Sequence, residues 1–396
     1  MGGIMSKIQE QSAEIQQVMN DVISWRQHLH ENPELSFNEY ETSAFIYKTL
    51  STFPNLELSK PTKTSIVARL VGNEPGKVLA FRADIDALPI QEEVDLPFAS
   101  KVPDVMHACG HDAHTAILLG AAKILSKQQH KIKGEIRFIF QHAEEVFPGG
   151  ASEMVAANVM DGVDEILGLH VFSMIPTGKI GFCPGYFTAN SDTFEIDVIG
   201  KGGHSSQPED SINPILIGSQ IVSSLHQIIP QKIAAKEQAV LAVTEFNGGA
   251  AKNIIPERIV IGGGIRTYSQ SVREEIARQI EVNVKNIVAS HEADYNLEFT
   301  YGYDSVYNDE QIIATIEEVV KKEMGANYLL HVSPIMGGED FSAFLSKAPG
   351  VFLGIGAGFE DETLNYPHHH PKFQINEDAL EIGVNVFVHT AKKFNM

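Results

Sequence analysis

Only two cysteines, Cys109 and Cys183, occur in 396 residues. A disulfide-dense scaffold is excluded, and a reducing compartment is expected. Long hydrophobic runs are missing as well. The most apolar segment, Ala116 to Leu125, is broken by Gly120 and Lys123 and falls short of the roughly 20 residues that cross a bilayer. The opening residues carry no apolar run of the signal-peptide kind, so a cytoplasmic location is the expectation. Basic residues are few: 30 Lys and Arg stand against 51 Asp and Glu, a formal charge of -21. Such a surface repels phosphate backbones and anionic lipid, which argues against nucleic-acid and membrane partners. A small molecule is the expected partner, and part of the acidity is available to bound cations.

What remains is the composition of a globular enzyme, 43% hydrophobic and 20% charged, and the length predicts two domains. Ile15, Val18, Met19, Val22 and Leu29 recur at helical spacing until Asn32-Pro33. Strand-like runs follow at 65–71 and 77–83, a helix at 115–127, the strand EIRFIFQHA after Gly134, a helix opening at Gly149-Gly150, and the strand EILGLHV. Continuous apolar runs alternating with helices predict an α/β fold on a buried, mainly parallel sheet.

Beyond Ala189 the pattern becomes strand 193–200, helix 214–228, strands 239–246 and 258–265, helix 270–290 and strand 295–301. That order is the ferredoxin-like βαββαβ unit. The expected organisation is therefore a catalytic α/β domain of residues 1–188 and 303–396, with an inserted lid or dimerisation domain at 189–302. Helix 309–324, strand 351–356 and helix 377–393 complete the first domain.

Four groups of ligand-type side chains sit at predicted strand ends or turns. HACGHDAH (107–114) packs His, Cys and Asp before a helix, and Cys109 and His111 are able to face one ion. A buried free Cys among surface histidines explains that segment equally well on its own. HAEE (142–145) follows a strand, where a solvated turn is the commoner meaning of two acids. Asp84 and Asp86 in RADIDALP, and His170 in ILGLH, also follow strands. Sites in open parallel sheets form beyond the carboxyl ends of the strands, so four such clusters together point to a metal centre. Of the acids 144 and 145, one is suited to binding metal and the other to general-base chemistry. Gly262-Gly263-Gly264 lacks a helix-opening context and is read as a close approach or bulge, not a phosphate loop.

The segments RQHLHENPELSFNEYET, RADIDALPI, MHACGHDAHTA, FQHAEE, GLHV, GKGGHSSQP, NIIPER, MGGEDFSAF and HHHPKF run through nearly the whole chain. In that order they resemble the metal-dependent N-acyl-amino-acid amidohydrolases, in the branch of hippurate hydrolases, N-acetyl-diaminopimelate deacetylases and auxin-conjugate hydrolases. The resemblance implies two divalent cations per subunit, with Mn2+, Zn2+, Co2+ and Ni2+ all compatible with the donors. It implies Cys109, His111, Glu145, His170 and His369 as ligands, with His368 and His370 as chemically equivalent neighbours of the last. Glu144 matches the general base that takes a proton from a metal-activated water. Asp84 and Asp86 match residues that orient ligands, while Asp112 and His114 are read as supporting residues. His204 matches a group that stabilises the oxyanion, typically in a partner subunit's site, so a homodimer or larger homo-oligomer is implied. Asn253 and Arg266 match substrate-binding positions, Arg266 holding a carboxylate; a turn Asn and a surface Arg are the plain alternatives. Gly338 stands where relatives commonly carry Ser.

The implied activity is hydrolysis of N-acyl amino acids. A dipeptidase or peptidase would share the same chemistry. A cysteine-nucleophile hydrolase using Cys109 leaves His170, His369 and Glu145 without a role, and an inactive amino-acid or metal-binding protein leaves Glu144 without one.

Overall fold

In the computed structural model, residues 2–396 are described, with side chains from residue 13 onward. Contacts divide the chain into two units. One comprises Met1–Phe187, Tyr307–Ser333 and Asp340–Met396; the other comprises Thr188–Val306 and Pro334–Glu339.

The larger unit is built on an eight-stranded sheet in the order Glu57–Ser59, Ile66–Val71, Lys133–Gln141, Glu74–Asp84, Glu165–Pro176, Gly350–Gly358, Ile180–Phe182 and Leu329–His331. The four central strands, Lys133–Gln141 to Gly350–Gly358, run parallel. They are rich in Ile, Val, Leu and Phe, and they are buried through the second halves of Lys133–Gln141, Glu74–Asp84 and Gly350–Gly358 and over 166–171 of Glu165–Pro176, as expected where both faces are covered. Ile66–Val71 is antiparallel to its neighbour, with Ile66 opposite Phe140. Helices Gly2–Glu31, His111–Ser126 and Asp378–Asn395 pack on one another and share the core with the central strands. Helix His111–Ser126 is apolar almost all round (ILLGAA), and all but one of its residues are buried.

Register fixes the rim of this sheet. Asp84 pairs with Gln141, and Arg82 pairs with Gly168. Asp84, the turn after Gln141 and His170 therefore emerge at the same carboxyl edge.

The smaller unit has a four-stranded antiparallel sheet, ordered Ala239–Asn247, Arg258–Thr267, Asn190–Ile199, Asp294–Tyr303. Phe194, Ile196 and Val198 alternate inward against helices Pro214–Leu225 and Gln270–Ser290. The first helix starts at Asn213, whose side chain accepts from the Ile215 N–H, with Pro214 at the first turn. It stops at Leu225, and a second short helix, Ile228–Lys232, follows. Gly263 is forced by packing. A Cβ there would lie 2.3 Å from the Ala242 carbonyl oxygen and 2.6 Å from Phe194 Cζ. The facing strand bulges between Val243 and Glu245. Among the described residues no helix is long and apolar enough to cross a membrane.

Candidate metal centre

Helix His111–Ser126 begins four residues earlier than its apolar pattern suggests, so His111 lies in the first turn and not in an irregular segment. The Ala113 and His114 N–H groups both reach the Gly110 carbonyl. Gly110 itself has φ 89°, and a Cβ there would meet Val171 Cγ2 at 2.4 Å. This left-handed glycine turns the chain between Cys109 and His111, so both side chains face the rim.

Cys109, His111 and His170 offer donor atoms within 4.8 Å of one another, as do Cys109, Glu145 and His369, and His111, Glu144 and Glu145. All five ligand candidates and Glu144 thus meet at one place. Cys109 Sγ lies 3.4 Å from His170 Nε2. His170 Nδ1 donates to the Val171 carbonyl at 2.8 Å, which leaves its Nε2 lone pair on the Cys109 side. His111 Nδ1 donates to Asp86 Oδ1 at 3.1 Å, and its Nε2 is 3.8 Å from Glu145 Oε1. His111 Nε2 and Glu145 Oε1 are both buried without a hydrogen bond. Two buried donor atoms without hydrogen bonds, 3.8 Å apart, are what a cation would satisfy, and Cys, His and carboxylate donors fit a divalent transition metal.

The electrostatics agree. Burial disfavours charge on His111, yet Asp84, Asp86 and Glu145 outweigh it and push its pKa up to about 10. Burial, then Glu145, Glu144 and Asp84, hold the Cys109 thiol well above its usual range. The field calls for positive charge, and a bound cation would deprotonate the thiol.

The three consecutive histidines separate by geometry. His369 has φ 65°, its N–H donates to the Ala108 carbonyl at 2.9 Å, and its Nε2 lies 3.3 Å from Glu145 Oε1. His368 Nε2 instead donates to the Val171 carbonyl at 2.9 Å. His370 stacks on Tyr366 at 4.6 Å and accepts the Lys372 N–H.

Asp84 and Asp86 lie beneath the donors, fully buried. Asp86 accepts from His111, from Ser36 Oγ at 2.7 Å and from the Glu145 N–H at 3.0 Å. Asp84 accepts from Arg82 Nη1 at 2.6 Å and from His114 Nδ1 at 2.6 Å. His114 Nε2 accepts the Val171 N–H, so both its nitrogens are occupied within the fold. Asp112 pairs with Arg26 and His30, each at 2.8 Å.

Arg82 was not singled out in the sequence. It is completely buried and binds Gln141 Oε1, Asp84 and Asp340 Oδ1. The signal available was Arg82 and Asp84 two apart in a strand, hence on one face. Glu39 and Ser36 also support the rim and left no pattern beyond a polar turn.

The remaining candidates belong to the smaller unit. His204 and Asn253 are neighbours on a two-stranded ribbon, where His204 pairs with Ile254 and the Ser205 N–H donates to the Asn253 carbonyl. His204 is exposed, and its Nδ1 accepts the Ser206 N–H at 3.1 Å, which leaves the ring proton on Nε2. Arg266 lines an open groove of about 640 Å3 on the sheet, together with Glu195, Glu245 and Glu298.

The model of Peptidase family M20/M25/M40 matches residues 80–393. An N-acyl-L-amino acid amidohydrolase of Geobacillus stearothermophilus is 52% identical over 294 residues, 74% of this chain and 80% of that protein. A thermostable carboxypeptidase of Saccharolobus solfataricus is 38% identical over 99% of this chain and 100% of its own length. Among solved structures, the Bacillus subtilis YXEP protein, described as a dinuclear metal binding peptidase, is 35% identical. It superposes with a TM-score of 0.84 over 95% of this chain and 98% of its own. With most of its length matched by the family model and its rim of Cys, His and Glu donors assembled, the chain belongs to Peptidase family M20/M25/M40.

Proposed function

We propose that this chain hydrolyses the amide bond of N-acyl amino acids, with two divalent cations held by Cys109, His111, Glu145, His170 and His369. The observation that carries the reading is the convergence of these donors around two buried, unsatisfied atoms, His111 Nε2 and Glu145 Oε1. When bound, the cations would polarise the scissile carbonyl and make water a nucleophile near neutral pH. Glu144, nine-tenths buried beside the donors, takes the proton of the attacking water and passes it to the departing amine. His204 donates from Nε2 as charge develops on the carbonyl oxygen, and its accepting Nδ1 supports that tautomer. Arg266 grips the free carboxylate in two prongs, with Asn253 beside it. Asp86 keeps the His111 imidazole in place, and Asp84 supports the rim from beneath through His114 and Arg82.

The inserted unit is read as a ferredoxin-like lid that also carries the dimer contact. Its strand order supports this, and so does its edge strand Asp294–Tyr303, which presents an unpaired side. Two free cysteines fit a reducing, cytoplasmic setting. The Saccharolobus relative's name favours a second reading, peptidase action on short peptides through the same centre.

The test is a screen of N-acetyl and N-benzoyl amino acids and dipeptides with Mn2+, Zn2+, Co2+ and Ni2+, with Glu144→Gln as control. N-acyl amino acids should be cleaved fastest, chelation should abolish turnover, and Glu144→Gln should lose roughly 10²–10⁴-fold in rate. A Glu144→Gln enzyme at wild-type rate would overturn the assignment of the base.

A further inference from the structure

Glu144 sits in a turn that its own backbone does not favour. Ala143, just before it, has φ 48°, a left-handed conformation that costs a residue with a Cβ about 1–2 kcal/mol. Such strain persists only where surrounding contacts over-determine it.

The contacts are supplied by two buried carboxylates from other segments. Glu39 Oε1 accepts the Ala143 N–H at 2.9 Å. The same oxygen accepts the Phe37 N–H at 2.9 Å, and Phe37 is itself left-handed at φ 66°. Glu39 Oε2 accepts from Thr64 Oγ1 at 2.9 Å. On the other side of Glu144, the Glu145 N–H donates to Asp86 Oδ2, the oxygen that also receives Ser36 Oγ. The peptide N–H groups on both sides of Glu144 are thus pinned. The 36–39 turn ties the two pins together, and the Phe37 ring packs edge-on against His142 at 5.7 Å.

Glu39 is fully buried and, among the described residues, makes no ion pair with Arg, Lys or His. Three donors from backbone and hydroxyl are its counterpart, and burial, with Asp86 nearby, raises its pKa. Burying a carboxylate without a cation is costly, and the hydrogen bonds it accepts are what offset that cost.

We propose that Glu39 is a positioning residue for the reaction: its Oε1, bridging Phe37 and Ala143, holds the strained turn that aims the Glu144 carboxylate. This rests on the reading of Glu144 as the base. What matters is the position of the acceptor oxygen and not its charge. Gln keeps Oε1 in place and offers its amide to the Thr64 hydroxyl. Asp keeps the charge but, one methylene shorter, does not reach both N–H groups.

The test compares Glu39→Gln and Glu39→Asp with wild type and Glu144→Gln, as full-length metal-loaded enzyme. The substrate is the N-acetyl or N-benzoyl amino acid that wild type cleaves fastest. Glu39→Asp should lose about tenfold or more in kcat, as expected when a reacting group is misplaced by around an ångström, with KM within twofold and metal content unchanged. Its acidic pH–rate limb should move, and amide exchange of the 142–146 segment should accelerate. Glu39→Gln should stay within threefold of wild type and keep exchange slow. If Glu144→Gln is inactive while Glu39→Asp matches wild type in kcat and exchange, the clamp is refuted. It is refuted equally if Glu39→Gln is as impaired as Glu39→Asp. If Glu144→Gln is fully active, the reading of the base fails instead, and exchange alone then judges the clamp.

Discussion

Replacing Gly110 by Ala tests how the metal centre is shaped. Gly110 lies at φ 89° between two ligand candidates, Cys109 and His111. An Ala in that left-handed conformation costs about 1–2 kcal/mol. Its Cβ would also sit 2.4 Å from Val171 Cγ2. Val171 is fully buried, so something must move, and overpacking of this kind costs about 1–3 kcal/mol. The sum is about 2–5 kcal/mol. Displacement of Val171 spreads further. Its carbonyl receives His170 and His368, and its N–H is bound by His114. Gly110→Ala should therefore weaken cation binding as well as stability. The single tryptophan, Trp25, lies in the same unit and packs against its core. Urea unfolding followed by its fluorescence reads the metal-bearing unit without interference from the other. In the Val171→Ala background the clash is gone and only the φ strain remains, so the double variant should lose about 1–3 kcal/mol less than the sum of the singles. A Gly110→Ala protein within about 0.5 kcal/mol of wild type, with unchanged cation affinity, would refute this account of the turn.

His389 is buried on helix Asp378–Asn395, and burial, followed by Lys392, lowers its pKa from 6.5 to about 4, against an opposing pull from Glu323. Its folded pKa lies below its unfolded value, so its contribution is present above pH 6.5 and is lost as pH falls toward 4. Relative to His389→Gln, wild type should lose roughly 2–3 kcal/mol between pH 7 and pH 4; parallel stability curves in urea would contradict this. His369→Ala should reduce bound cation from two to one per chain, whereas His370→Ala should leave stoichiometry intact. Elemental analysis after dialysis separates the two, and equal loss in both would undo the assignment of the last ligand.

The sheet was largely legible because buried parallel strands write themselves as apolar runs, as EIRFIF and EILGLHV do. Three-residue strands such as Ile180–Phe182 and Leu329–His331 carry no period to read. The antiparallel placement of Ile66–Val71 is a matter of pairing, which composition does not encode. In the site, donor types were visible and their selection was not. Three adjacent imidazoles are chemically alike, and only the left-handed backbone of His369 turns one of them toward Glu145. The helix start at His111 was hidden because His, Asp and His interrupt the apolar pattern, while the Gly110 carbonyl that begins the helix leaves no side-chain signal. Arg82 and Glu39 escaped notice because charged residues are read as surface unless their partners, distant in sequence, are known.

Those buried charges bear on stability as much as on chemistry. Asp84, Asp86 and Glu144 are all buried at one rim, and Glu145 adds a buried, unsatisfied oxygen. Arg82 answers Asp84 directly, while Asp86 relies on His111, Ser36 and a backbone N–H. Positive and hydrogen-bonding neighbours hold Asp84 and Asp86 ionised, and a cation that binds only the folded form at this acidic rim should stabilise it strongly. At 100 times the dissociation constant one site contributes about 2.7 kcal/mol, or a rise in Tm of roughly 4–5 °C for a unit of this size. Trp25 fluorescence should show that rise on adding Mn2+ or Zn2+ to chelator-treated protein, and Cys109→Ala/His170→Ala should abolish it. A melting temperature that ignores these cations in wild type would mean that the orphaned atoms of His111 and Glu145 are satisfied in some other way, and the metal centre would have to be abandoned.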